Sequence, residues 1–191
     1  EPGVDVLSVM RQYELSETFP EDAQAAADAV EQEPSPEEYR GRADRRDLPI
    51  VTVDGEDSKD LDDGVYARKN EDGSFFLGVY IADVSWYVRE NQPLDREAYA
   101  RGTSVYLVDR VIPMLPKELS NGICSLNAGV DRLSMACEMQ ISPEGEITSY
   151  EILPTVIHVY RRLTYNIVNK VLVNKEEPFL SDNHDIHSML M

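Results

Sequence analysis

Ile50-Val-Thr-Val-Asp54-Gly-Glu-Asp-Ser-Lys-Asp60-Leu-Asp62-Asp63-Gly64 decides how this chain is read. The first four residues are β-branched, which favours a short strand over a helix. The remainder crowds Asp54, Asp60, Asp62 and Asp63 into a single loop. Like charges so close repel one another unless something cationic sits among them. A hard divalent cation such as Mg²⁺ takes oxygen ligands from carboxylates, and a carboxylate-held metal suits phosphate chemistry.

Strand patterns continue on the far side of the loop. Gly64–Arg68 reads as a second strand, Asn70-Glu-Asp-Gly73 as a turn and Phe75–Ile81 as a third strand. The acidic loop is therefore expected between strands, where ligands can be mounted rigidly. Further on, Met135–Ile141 and Glu146–Tyr160 flank Ser142-Pro-Glu-Gly145, a hairpin with type I turn chemistry. Asp95–Ala100 reads as a short helix ended by Gly102. Thr164 is placed to cap a helix through Val173, with Ile167, Val168, Val171 and Leu172 on one face. The fold class expected is α+β, with mixed and antiparallel sheets flanked by helices.

Residues 1–48 read differently, as a helical lead-in. Pro20-Glu-Asp opens an Ala-rich stretch reaching about Val30, and the proline and acids suit a first turn. Ser35-Pro-Glu-Glu38 has the form of a capping box. Arg40, Arg42, Arg45 and Arg46 then form a basic run, either a solvated linker or a partner for phosphates or for the acidic loop. The organisation expected is a lead-in over 1–48 and one larger domain over 49–191.

Composition narrows the function. Hydrophobic residues make up 42% of the 191 residues, so a packed core is expected and global disorder is not. Thirty-six acids against 18 bases give a net charge of −18, which counts against a nucleic-acid binder driven by charge alone. A bound metal can still turn the local field positive. Cys124 and Cys137 lack the spacing of a zinc site or a disulfide framework and read as reduced thiols in a cytoplasmic protein. No apolar run approaches the roughly 20 residues of a membrane span. Neither end has the features of a natural terminus, and a fragment cut at both ends is expected.

The acidic loop itself leaves alternatives open. A solvated surface loop suits Glu56 and Asp57. A Ca²⁺ loop of EF-hand type would start at Asp60, but its sixth position would be Val65 where glycine is needed, and its flanks read as strands. A catalytic set holding one or two metals remains, and spacing alone does not separate it from the solvated loop.

Five segments in order add what spacing lacks. They are Asp54–Asp63, Gly78-Val-Tyr-Ile-Ala-Asp83-Val, Arg101-Gly-Thr-Ser-Val-Tyr106, Ile112-Pro-Met-Leu-Pro116 continuing to Leu126, and Arg162-Leu-Thr-Tyr165. The series closely resembles the catalytic RNB domain of the ribonuclease II/ribonuclease R family, its bacterial ribonuclease R branch above all. The resemblance runs from about Gly3 to the C-terminus. It implies a processive 3′→5′ exoribonuclease that hydrolyses single-stranded RNA from its 3′ end to nucleoside 5′-monophosphates, with one or two Mg²⁺ or Mn²⁺ ions. By position, the catalytic, metal-holding aspartates fall on Asp54, Asp60, Asp62 and Asp63, and RNA-contacting aromatic residues on Tyr106 and Tyr165. Without it, Tyr106 reads as a strand-core tyrosine and Tyr165 as packing.

The resemblance further implies that this chain is the N-terminal portion of the catalytic domain, in a parent that is cytoplasmic and monomeric. RNA-binding barrels on both sides, and a downstream aromatic, acid and arginine of the site, would lie outside these 191 residues, so the fragment alone is expected to be inactive. Gly64 stands where the family usually has Ala. Asp83 could support a ligand or serve a buried structural hydrogen bond, and Pro113, Leu115 and Pro116 would shape a channel wall. His184 and His187 read as surface residues. The competing reading is a non-catalytic scaffold of the same fold, used for RNA binding or protein contact.

Overall fold

The computed structural model describes residues 4–176, 179–184 and 189. In chain order its elements begin with α1 (Val4–Gln12), α2 (Glu21–Asp28), β1 (Ala43–Asp44), β2 (Val51–Asp54), β3 (Asp63–Lys69) and β4 (Phe75–Ala82). There follow α3 (Val84–Tyr87), α4 (Pro93–Arg101), β5 (Val105–Tyr106), β6 (Val111–Ile112), β7 (Asp131–Ile141), β8 (Ile147–His158), β9 (Arg161–Thr164), α5 (Tyr165–Asn169) and α6 (Phe179–Asp182). They group into two compact units. One joins Glu1–Gln32 to Val84–Gly122, and the other joins Glu33–Asp83 to Ile123–Met191. The lead-in expected over 1–48 is thus shared between them, residues 33–48 going with the sheet.

The second unit is built on a seven-stranded sheet in the order β1-β8-β7-β4-β3-β2-β9. It is mixed: β1–β8 and β2–β9 run parallel, and the remaining neighbours antiparallel. This is the α+β arrangement of mixed sheet and flanking helices that the strand and helix patterns predict. The strand boundaries follow the β-branched runs closely, and the β7–β8 turn closes with the Gly145 amide on the Ser142 carbonyl at 2.9 Å, Gly145 having φ of 89°. At the sheet's end Val51 and Leu163 are buried and pack with Val53, Val65, Ile167 and Val168. Each such aliphatic side chain stabilises the fold by roughly 1.5–3 kcal/mol when buried. Thr164 caps α5 as expected, its hydroxyl accepting from the Ile167 amide at 3.2 Å.

Two expectations change. Ser35 and Glu38 do make the capping-box contact, the Ser35 amide donating to Glu38 Oε2 at 2.7 Å, yet no helix follows. Residues 36–41 form successive turns instead, ending at Gly41 with φ of 81°. Tertiary contacts decide this: the Tyr39 hydroxyl reaches Asp131 at 3.1 Å and Arg42 reaches Asp83 at 2.6 Å, which a continuing helix would carry apart.

Three arginines of the basic run are neither a solvated linker nor partners of the acidic loop, while Arg40 is exposed. Arg42 forms a buried pair with Asp83, Arg45 grips Glu138 through Nε and Nη2, and Arg46 pairs with Asp44 and Asp131. Asp83 is therefore a structural partner of Arg42, which is the second of the two roles its position allowed. Buried charges need such partners, since either alone would be costly.

In the first unit Ala23 and Ala27 bury the inner face of α2. Arg101, at the end of α4, donates to the carbonyls of Ser16 (2.9 Å), Thr18 (2.7 Å) and Pro113 (3.2 Å) and lies over the Phe19 ring at 3.8 Å. It thereby ties the segment 16–19 to α4 and to the residue that follows β6. Of the two histidines near the end, His184 is exposed and His187 lies outside the described residues.

Two outcomes test this frame. Gly78 leaves the space that the fully buried Tyr80 ring occupies: a β-carbon there would come within 2.6 Å of the Tyr80 hydroxyl oxygen. Gly78→Ala is expected to lower unfolding stability by about 1–3 kcal/mol in denaturant titration, through overpacking. Asp131 accepts hydrogen bonds from His158, Arg46 and Tyr39, which outweigh its burial and hold its carboxyl below the usual range. A depressed carboxylate stabilises the fold above its ordinary pKa of about 3.9 and ceases to do so as pH falls through the lower folded value. The stability gap between the native chain and Asp131→Asn is therefore expected to be full at neutral pH and to close as pH falls below that ordinary value, measured by urea midpoints across pH.

Candidate active site

β2 ends on Asp54 and β3 begins at Asp63, so the antiparallel β2–β3 pair holds both ends of the acidic loop. Between them residues 55–62 leave the sheet, and their backbone groups need partners elsewhere. Two side chains supply most of them. Arg162, on β9 opposite Thr52, extends Nη2 to the carbonyls of Gly55 (3.0 Å), Glu56 (3.0 Å) and Ser58 (2.9 Å). Ser125 is fully buried; its hydroxyl donates to the Lys59 carbonyl at 2.9 Å and accepts from the Leu61 amide at 3.0 Å. Arg132 Nε holds the Ser125 carbonyl at 2.9 Å, and the Leu126 amide donates to the Leu61 carbonyl at 2.8 Å. At the loop's exit the Ala82 amide donates to the Asp62 carbonyl at 3.0 Å. Neither Arg162 nor Ser125 stands out in the sequence as a site residue, although both lie in segments that carry the family resemblance.

The carboxylates sense one another. Burial is the main cause that raises Asp54 above the ordinary carboxylate range; the charge of Asp63 adds to it, Arg162 opposes and Asp60 adds again. Asp62 is raised first by burial, then by the charges of Asp60, Asp63 and Asp54. All four predicted aspartates are thus brought into one electrostatic cluster. Asp54 Oδ2 is also buried without a hydrogen-bond partner. Hard oxygen donors that repel one another, one of them with an orphaned oxygen, fit a divalent cation in their chemistry. No trio of His, Cys, Asp or Glu among the described residues stands close enough to form a ready metal-binding group. Holding an ion there would require the carboxylates to turn toward one another.

Tyr165 belongs to the same corner. It follows Thr164, which is the β2–β9 partner of Asp54, and its ring is 66% exposed. Tyr106 lies in the other unit, on β5, and is 68% exposed. At this exposure neither is a core tyrosine, the role each would have without the family resemblance.

Gly64 has a local reason. A β-carbon there would approach Ile50 Cγ2 to 2.9 Å and Leu126 Cδ1 to 3.6 Å, so the space of a methyl group is taken by a buried isoleucine. Cys124, buried beneath the loop, has its thiol pushed up to about 12, chiefly by burial; it is a packing residue.

The RNB domain family matches residues 42–190. Ribonuclease R 1 of Lactococcus lactis is 50% identical over 174 residues, covering 91% of this chain and 21% of that protein. Mycoplasma genitalium RNase R in complex with double-stranded RNA superimposes with a TM-score of 0.86 at 36% identity, over 92% of this chain and 31% of that one. The same enzyme in complex with ribose-methylated single-stranded RNA gives 0.85 at 36% identity, over 92% and 27%. The chain belongs to the RNB domain family, and its relatives are ribonuclease R proteins. It spans about a quarter of the length of the curated relatives it matches.

Ser125 provides a direct test of the loop's support. Ser125→Ala leaves the Leu61 amide and the Lys59 carbonyl without their partner in a buried place, at a cost of about 1–3 kcal/mol. Hydrogen exchange is expected to show faster exchange at the Leu61 amide than at amides of the β7–β8 hairpin, whose protection should be unchanged relative to one another.

Proposed function

We propose that this chain is the N-terminal portion of the catalytic domain of a metal-dependent 3′→5′ exoribonuclease, acting processively on single-stranded RNA and releasing nucleoside 5′-monophosphates. The observation that carries this reading is that Asp54, Asp60, Asp62 and Asp63 all lie within the one loop that runs from the end of β2 to the start of β3. The ribonuclease R relatives support the same reaction class.

Asp54, Asp60, Asp62 and Asp63 would hold one or two Mg²⁺ or Mn²⁺ ions. Bound there, a cation would supply Lewis-acid polarisation of the phosphate and a water of lowered pKa. The chain's own residues do the rest of what can be derived. Arg162 and Ser125 hold the loop backbone, so the carboxylates are presented from a fixed support. Tyr165 offers an exposed ring beside the acidic corner, and Tyr106 a second one on β5. Stacking on a base is sequence-tolerant, because every base has a π-face, and contributes about 1–3 kcal/mol per base. That suits an enzyme that must accept any RNA 3′ end. No helix among the described residues is long and apolar enough to cross a membrane. The reading places the parent in the cytoplasm as a monomer, with the remaining site residues supplied by other parts of it.

A non-catalytic RNA-binding or protein-contact scaffold is the second reading. The lack of a ready metal-binding trio among the described residues is the observation in its favour. One assay decides between them. The full-length protein is given 5′-labelled single-stranded RNA with Mg²⁺, with and without chelator, beside its Asp62→Asn variant. Release of 5′-monophosphates from the 3′ end, abolished by chelator and reduced about a hundredfold or more by Asp62→Asn with RNA affinity nearly unchanged, is expected from losing transition-state charge stabilisation. Tight RNA binding with no nucleotide released would establish the scaffold instead.

A further inference from the structure

The carboxylates alone cannot determine where they stand, because they repel one another. The loop that separates Asp54 from Asp60 has its path set by something else. Gly55, Glu56 and Ser58 all turn their carbonyls toward a single nitrogen, Arg162 Nη2, at 2.9–3.0 Å. Asn166, four residues further along and in α5, adds a bond from Nδ2 to Glu56 Oε1 at 2.8 Å. Arg162 Nε is buried and has no hydrogen-bond partner. A buried guanidinium donor left unsatisfied carries a real cost. The side chain's placement therefore serves the loop at some expense to its own hydrogen bonding.

We propose that Arg162 is the positioning residue of the aspartate cluster: its guanidinium gathers the carbonyls of residues 55–58 and so fixes Asp54 relative to Asp60. This rests on the reading of the cluster as a metal site. The β2–β9 register makes the role specific. Arg162 is aligned with Thr52 and Thr164 with Asp54, so the guanidinium enters the loop from the strand beside Asp54. Arginine suits the task because its fork presents several donors in a rigid plane, whereas a lysine ammonium is a single point on a flexible stem.

Groups that orient metal ligands from behind typically change metal affinity or activity about 10–100-fold when altered. The test uses the full-length protein, its Arg162→Lys and Arg162→Gln variants, Mn²⁺ titration by calorimetry, single-stranded RNA hydrolysis and thermal unfolding. Arg162→Gln is expected to weaken Mn²⁺ binding about tenfold or more, and Arg162→Lys by a smaller factor of about three, with kcat falling in the same order. KM for RNA should stay within about twofold, since uniform substrate binding is untouched. Wild-type Mn²⁺ affinity in either folded variant, including a variant that has merely lost thermal stability, overturns the proposal. If only Arg162→Lys folds, its Mn²⁺ affinity decides by the same criterion. A native protein that binds no Mn²⁺ and hydrolyses no RNA overturns the metal-site reading and this proposal together. A native protein that does both beside unaffected variants overturns this proposal alone.

Discussion

Four carboxylates in one loop are tolerable only if the backbone that carries them is held by other groups. Two unit charges 4 Å apart near a protein surface repel by about 4 kcal/mol at an effective dielectric constant of 20. A single neutral hydrogen bond contributes only about 1 kcal/mol, and one to a charged group about 1.5–3. One contact cannot restrain such a loop, but several can. The described loop has several: the three carbonyls on Arg162, the two ends of Ser125, and the backbone bonds of Leu126 and Ala82. The restraint is distributed over β9 and the segment from Ser125 to Arg132, and these come from distant parts of the sequence.

The mixed sheet is what makes that possible. β9 returns beside β2 in parallel, so the same strand that brings Arg162 to the loop also delivers Tyr165 beside Asp54's partner Thr164. A slip of one residue in this pairing would turn Arg162 to the other face and remove the loop's restraint. The burial of Val51 and Leu163 with Val53, Val65, Ile167 and Val168 fixes the register, since the wrong register would expose them. The apolar core and the polar site are thus two faces of one constraint.

Much of this is legible in the amino-acid sequence. The run Ile50–Val53, the turn Asn70–Gly73 and the hairpin around Ser142–Gly145 announce strands because β-branching and turn chemistry act locally. So does the acidic loop between strands. What was not legible depends on partners far away in sequence. Ser35–Glu38 carries a sound helix-start signal that loses to the pull of Asp131 on Tyr39 and of Asp83 on Arg42. The arginines at 42, 45 and 46 look like a solvated run because each finds its carboxylate only when the sheet forms. Ser125 is an ordinary serine until the chain brings Lys59 and Leu61 to it. In the candidate site, the crowding of the aspartates is plain in the sequence, whereas the residues that hold their loop are not.

The fate of the arginines bears on how an acidic chain could meet RNA. Arg42, Arg45, Arg46, Arg96, Arg101 and Arg110 all engage carboxylates of this chain. With a net charge of −18, the chain as a whole repels a polyanion. Lys59, by contrast, stands exposed within the acidic loop itself, so a strand reaching that corner would meet one cation of this chain among the carboxylates. Under the ribonuclease reading, stacking on Tyr165 and a cation held by the aspartates would add to that, and neither reads sequence. Under the ribonuclease reading, this segment would then contribute little to the salt-dependent part of affinity, which comes from lysine and arginine contacts to phosphates. Its contribution would lie in how the last phosphates and bases are placed.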